Sequence, residues 1–339
     1  MFRILKVMMW LLAALIFAAC SSAPKKEIAP NLLESLTLPD IIKFPLQTTA
    51  QGRWIISVDI GEGRMADMLL DTGATYSAFY YDAAEKFNLT VDVDNVTRIH
   101  GLVTNAVAAT TTIERLGFGA DYFINKNFAV LPDDGETVEN IMPSDGIIGM
   151  DIMEGYRIFV DASDSHIYFI PNTLPDFTLP INMRAIQLFS NPYVEAAPRL
   201  HFFSVEVRNK NVPALMDTGT DVHIINWHAA TYVEARSIRS QLKWRWKVAG
   251  AIGEFKPVVR AHMDKLTSGP YEWQDVNMII KDTDSLDILG VSENPVVIAG
   301  IGLFDNRNVY LDFQNDTLWL QNEYTLQDSS KTVTICLKC

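Results

Sequence analysis

"LLDTGATYSAF" (residues 69–79) sets a carboxylate, Asp71, behind two leucines and ahead of a Thr-Gly turn. An acid at the end of an apolar strand is costly unless it is paired or used. The signature returns in "ALMDTGTDVHII" (214–225), with Asp217 lying 146 residues beyond Asp71. Two further landmarks repeat in the same order at nearly that interval. The glycine of "DGIIGMDIM", Gly149, answers to Gly300 in "VVIAGIGLF". "IFVDASDSHIYF" from Ile158 answers, without a gap, to "VYLDFQNDTLWL" from Val309. The chain therefore reads as two copies of one mostly-β unit, each of roughly 120 residues, an ordinary domain size.

The bulk numbers agree. The 339 residues are 48% hydrophobic, enough to fill two cores and too apolar for wholesale disorder. A net charge of −13 without a long basic run argues against nucleic acid as a partner. Along each copy, short β-like runs alternate with polar turns. "RWIISVDI" and "MADMLLD" are strands around a "GEGR" turn, and "YDAAEKFNL" is a brief helix. "RIFVD-ASDS-HIYFI" is a hairpin. "LHFFSVEV" and "VPALMD" restart the pattern, which closes on the hairpin "RNVYLDFQNDTLWLQ". Prolines 171, 175, 180, 192 and 198 mark a connection between the copies. The expected organisation is a signal over 1–19, a tether over 20–47, a first lobe over 48–171, a linker over 172–198, a second lobe over 199–322 and a tail over 323–339.

The first residues are a targeting segment. Arg3 and Lys6 precede the apolar run "VMMWLLAALIFAA", which is short for a membrane span, and small residues lead to Cys20. This resembles a bacterial lipoprotein signal, with Phe17 where that pattern prefers leucine. The resemblance implies acylation of Cys20 and a membrane anchor. With Ser21 following, it implies the outer membrane, facing the periplasm. The other reading is an ordinary cleaved signal with an incidental cysteine. Cys336 and Cys339 form a terminal "CLKC" pair, read as a small local disulfide in a mobile tail; no second ligand pair makes it a zinc site.

The order strand, Asp-Thr-Gly, strand, apolar-apolar-Gly, hairpin resembles the aspartic proteases over about residues 50–322. The short copies are more similar to retroviral-type units fused in tandem than to pepsin lobes. The resemblance implies an all-β, bilobal fold of two related barrel-like lobes with a few short helices. It implies an endopeptidase in which Asp71 and Asp217 form one catalytic pair. Two facing carboxylates cannot both ionise cheaply, so one holds a proton. The ionised member takes a proton from water, and the protonated one hydrogen-bonds the scissile carbonyl oxygen. The titration belongs to the pair, and the sequence assigns the proton to neither. Gly73 and Gly219 admit a close backbone approach. Thr72 and Thr218 resemble the family's buried threonines that bond across the lobes, and Gly149 and Gly300 pack behind the loops. Ala74 and Thr220 differ between the copies. A hydroxyl at 220 is placed to donate to ionised Asp217, which predicts that Thr220 lowers the acidic limb of the pH profile. "RIHGLVTNAVA" with Gly101 and "KVAGAIGEFKP" with Gly250 resemble paired flaps over an extended peptide. The first lacks the tyrosine typical of pepsin flaps.

Other residues carry blander readings. Asp151 is a structural turn acid, since its counterpart is Gly302. His223 has no Ser or Cys nucleophile motif to serve and reads as an ordinary strand residue. "KWRWK" (243–247) reads as a half-buried strand. The nucleophile being water, no metal or cofactor is implied. Both acids lie in one chain, so a monomer suffices. The partners are a peptide or protein substrate and, through Cys20, a membrane. The rival from another class is a peptide-binding envelope lipoprotein that kept the fold and lost turnover.

Overall fold

A computed structural model describes residues 29–100, 105–119, 121–131, 144–193, 200–234, 246–248, 256–283, 286–287 and 289–322. The first half supplies β1 (Ile42–Pro45), β2 (Gln47–Thr48), β3 (Trp54–Asp59), β4 (Met65–Leu70), β5 (Ala78–Tyr80), β6 (Val91–His100), β7 (Asn105–Phe118), β8 (Asp121–Leu131), β9 (Gly146–Ile148), β10 (Tyr156–Asp161) and β11 (His166–Pro171). The second supplies β12 (Met183–Phe189), β13 (Phe202–Val207), β14 (Lys210–Met216), β15 (His223–Ile225), β16 (Trp246–Val248), β17 (Lys256–Ser268), β18 (Tyr271–Ile280), β19 (Val297–Ala299), β20 (Val309–Asp312) and β21 (Thr317–Gln321). The helices are short: α1 (Leu32–Ser35), α2 (Tyr81–Lys86), α3 (Met150–Met153), α4 (Trp227–Tyr232) and a 3-10 turn over Ile301–Leu303.

The two halves follow one plan. In the first, β3-β4-β9-β5-β8-β7 closes into a barrel because β7 also pairs with β3. In the second, β13-β14-β19-β15-β18-β17 closes through β17 and β13. The β4–β9 and β14–β19 pairs are both parallel, as are β5–β8 and β15–β18. The all-β, bilobal fold is thus what the repeat implied.

Between the barrels runs an antiparallel sheet in the order β1-β11-β10-β20-β21-β12. Its central seam joins the halves, with Ile158 opposite Leu311 and Val160 opposite Val309. The apolar runs of the repeated hairpins follow from burial on both faces of this sheet. Ile158, Val160, Ile167 and Phe169 face the main core, while Phe159, Tyr168, Ile170 and Tyr310 pack on the other side with Leu32, Ile41 and Met183.

Two expected boundaries move. The stretch up to residue 47 is not all tether. Asn31 caps α1 by accepting from Leu33 N–H (3.0 Å), and Leu32, Ile41, Ile42 and Phe44 are buried. Leu32 and Ile41 cover the far face of the central sheet, while Ile42 and Phe44 face the main core from β1, which extends the sheet beside β11. The expected linker 172–198 contains β12, which pairs with β21 and then with β13. Its prolines bracket a strand whose Met183, Ile186 and Leu188 are buried. Residues 1–28, with Cys20, and 323–339, with Cys336 and Cys339, lie outside the described residues. Among the described residues no helix is long and apolar enough to cross a membrane.

Candidate active site

Each motif acid stands at the end of a buried strand held by a parallel neighbour. Asp71 N–H donates to the Ile148 carbonyl (3.0 Å) after β4, and Asp217 N–H to the Ala299 carbonyl (3.0 Å) after β14. The loops then turn back onto the element that follows. Met150 N–H bonds the Ala74 carbonyl (2.8 Å), and Ile301 N–H bonds the Thr220 carbonyl (2.9 Å). The intervening glycines make this possible. A Cβ at Gly149 would lie 2.9 Å from the Ala74 carbonyl oxygen, and one at Gly300 2.8 Å from that of Thr220.

The loops meet across the lobes. The Thr72 hydroxyl donates to the Met216 carbonyl (2.9 Å) and accepts from Thr218 N–H (3.1 Å). Reciprocally, the Thr218 hydroxyl donates to the Leu70 carbonyl (2.7 Å) and accepts from Thr72 N–H (3.1 Å). Both threonines are buried, so the four bonds form a fully satisfied network that fixes the loops in register. It places each glycine under the opposite acid. A Cβ on Gly73 would sit 2.6 Å from Asp217 Cγ, and one on Gly219 2.3 Å from Asp71 Cγ.

The Asp71 and Asp217 carboxyls lie close enough to act on each other's charge, each packed against the other lobe's glycine. Asp71 Oδ1 also accepts from Gly73 N–H (2.8 Å). Asp217 Oδ1 accepts from Gly219 (3.0 Å) and Thr220 (3.1 Å) N–H groups. Burial raises both carboxyls above the ordinary carboxylate range, and the neighbouring Asp71 charge pushes Asp217 further. The arrangement suits a pair that holds one proton and one charge.

The hydroxyl of Thr220 does not serve Asp217. It lies 3.5 Å from the Val222 carbonyl and 3.4 Å from Val222 N–H, a local turn that outcompetes the acid. Only the backbone N–H of Thr220 reaches Asp217, which corrects the expectation drawn from its side chain.

Behind the loops the lobes differ. Asp151 accepts from both Ser77 N–H (2.8 Å) and the Ser77 hydroxyl (2.7 Å), and it pairs with Lys126 (2.8 Å). Ser77 in turn accepts from Gly149 N–H (3.0 Å). His223 occupies the equivalent place in the second lobe. Its Nδ1 accepts from Gly300 N–H (3.0 Å), and its ring fills the space over Gly302. Burial lowers the imidazole to about 4, so it is neutral at ordinary pH.

Arg53, which sequence reasoning passed over, reaches the site from the turn before β3. It is buried and donates through Nη1 to the Gly219 carbonyl (3.3 Å). Its only trace in the sequence is a cation at the mouth of an apolar strand. The flap glycines Gly101 and Gly250 lie outside the described residues, as does most of "KWRWK". The stems leading to them are paired, with His100 opposite Asn105 and Val248 opposite Lys256. Among the described residues no group of three His, Cys, Asp or Glu side chains is placed to hold a metal ion.

A family model described as aspartyl protease matches residues 56–152 and 203–294, one stretch in each lobe. No curated protein matches the chain.

Proposed function

This chain belongs to the aspartyl protease family, and from that premise we propose that it is an endopeptidase whose nucleophile is a water activated by Asp71 and Asp217. The observation that supports this reading most is the crossed threonine network that brings the two carboxyls together, each lodged against the other lobe's glycine.

The proposed reaction begins with the charged carboxylate of the pair taking a proton from water as its oxygen adds to the scissile carbonyl carbon. The protonated partner gives its proton to the carbonyl oxygen, so a neutral gem-diol forms without free oxyanion. The first acid then passes its new proton to the leaving nitrogen, and the second recovers one from a gem-diol hydroxyl as the C–N bond breaks. The pair ends with one proton, as it began. The loops contribute by holding both carboxyls at fixed separation through the threonine network, so little reorganisation accompanies the step.

The substrate in this reading is an extended peptide lying across both lobes beside the paired strands β6–β7 and β16–β17, whose connections include Gly101 and Gly250. A monomer acts alone. The segment around Cys20 would hold it at the bacterial envelope, on the outer membrane facing the periplasm.

The test is incubation of the full chain with a mixed peptide library from acidic to neutral pH. Cleavage is expected, and either Asp71→Asn or Asp217→Asn is expected to reduce it by about 10³-fold or more. Binding of peptides without cleavage at any pH would replace this reading by that of a non-catalytic peptide-binding lipoprotein.

A further inference from the structure

The two motif loops share one backbone but not one electrostatic setting. Arg53 is 3% exposed. Its own turn fixes it: Arg53 N–H donates to the Thr49 hydroxyl (3.2 Å), and Thr49 N–H donates to the Arg53 carbonyl (3.0 Å). From there the guanidinium crosses between lobes to the carbonyl of Gly219. Gly219 is the residue whose Cα rests against the Asp71 carboxyl. Gly219 also donates to Asp217, but the β3–β4 register, with Ile55 opposite Leu69, carried on two residues sets Arg53 across from Asp71, so the cation is held beside Asp71 in a desolvated place, where a charge acts strongly.

Among the described residues, the equivalent place in the second lobe holds no cation. Ile55 pairs with Leu69, and Phe202 pairs with Leu215, so the residue equivalent to Arg53 is Leu200, which is buried and neutral. Burying a guanidinium is expensive unless it works against a negative charge. We propose that Arg53 is a positioning residue that breaks the symmetry of the pair, settling its single negative charge on Asp71 and its shared proton on Asp217.

The surrounding groups fit this division. Arg53 favours the charged form of Asp71, opposing part of the burial effect. Asp217 is acted on chiefly by burial and by the Asp71 charge, against the N–H groups of Gly219 and Thr220. Tyr80 on β5 also senses both Asp71 and Arg53, and burial raises its phenol so that it stays neutral. Asp221 and Asp305, the acids on nearby second-lobe turns, are exposed and screened by solvent. In the proposed reaction, Asp71 is then the group that deprotonates water and Asp217 the one that protonates the carbonyl oxygen.

This inference deepens the proposed function and rests on the two carboxyls forming one site. Its test is a titration of the full chain with 13C-labelled aspartate carboxyls, assigned through Asp71→Asn and Asp217→Asn. As pH rises, the Asp71 carboxyl is expected to reach its ionised position first. Ionisation of Asp217 first overturns the inference, and that readout needs neither turnover nor a folded Arg53 variant. In the same titration Arg53→Gln is expected to move the Asp71 transition up by about one pH unit or more, with Arg53→Lys moving it less. An unmoved transition in folded Arg53→Gln overturns the inference. With peptide substrate, the acid limb of kcat/KM follows the same shift. A chain that titrates in this order yet cleaves no peptide supports the charge assignment and overturns the proposed function; cleavage with the reverse order does the opposite.

Discussion

Compared loop by loop, the two lobes agree in backbone and disagree in what supports it. The bonds from Asp71 to Ile148 and from Asp217 to Ala299 are equivalent, and so are the crossed threonine bonds. Behind them the first lobe uses Ser77, Asp151 and Lys126, whereas the second uses His223 over Gly302. The first contributes a buried Arg53 and the second a buried Leu200. A small hydroxyl plus an acid fills about the space of one imidazole plus a glycine, so the loop is supported by either set. What the comparison teaches is that the geometry of the pair comes from shared backbone, while its electrostatics come from side chains that differ.

The strongest test of the shared geometry is at the paired glycines. Gly219→Ala and Gly73→Ala each force a methyl into the opposite carboxyl. Each is expected to lower kcat/KM on a library-derived peptide by about 10²-fold or more, because the acid is displaced from its partner. Gly219→Ala is expected to be the more harmful, since its Cβ would lie 2.3 Å from Asp71 Cγ against 2.6 Å for Gly73 and Asp217. Equal, near-native rates in both variants would break the claim that the loops are locked together.

The different supports sharpen the comparison through pH. The folded-state value of His223, about 4, lies below its ordinary 6.5. The unfolded chain therefore binds a proton that the folded chain refuses over that interval, so stability falls as pH drops from about 6.5 towards 4 and falls no further below. His223→Gln keeps an acceptor for Gly300 N–H but does not titrate. The difference between native and variant urea-unfolding curves is expected to shrink steadily between those two pH values. Ser77→Ala, at the equivalent place in the first lobe, is expected to give a difference without that slope in the same window. A pH-independent difference for His223→Gln would remove the imidazole from the account.

The smallest effect is expected at Thr220. Because its hydroxyl bonds the Val222 backbone, Thr220→Ala is expected to cost about 0.5–1 kcal/mol. The acid limb of the pH–rate profile is expected to stay where it is. A clear shift would restore the side chain to Asp217.

What the string of residues made legible was local or repeated. Each Asp-Thr-Gly follows its own strand directly, and the hairpins after Ile158 and Val309 are contiguous, so the pattern survives in one dimension. The support of the pair was harder to see because it depends on contacts between distant segments. Arg53 and Gly219 are neighbours only after both lobes fold. The strand β12 was hidden because prolines on either side read as breaks, while the reason it is a strand is the exposed edge of β21 that it covers. The segment up to Phe44 looked like a tether because its few apolar residues have no periodic signature. Leu32 and Ile41 find their partners on the far face of the central sheet, and Ile42 and Phe44 in the main core, all with residues distant in the chain. The hydroxyl of Thr220 misled for the opposite reason: a contact two residues away was nearer than the acid three residues back.

The seam between β10 and β20 carries one more consequence. Exchange the halves, and Ile158 opposite Leu311 becomes Val309 opposite Val160, a pair already present. The ladder is thus self-complementary, like the contact at the centre of a two-fold homodimer, although here it joins two unlike halves. In side chains the inner pairs stay apolar and the margins differ most. Arg157 stands opposite Asp312, and exchange would set Asn308 against Asp161. Arg157 is tied down by the carbonyls of Pro171, Leu174 and Pro175, and Asn308 by Ala162 N–H. Those marginal side chains, more than the apolar inner pairs, distinguish left from right in a ladder whose main chain does not.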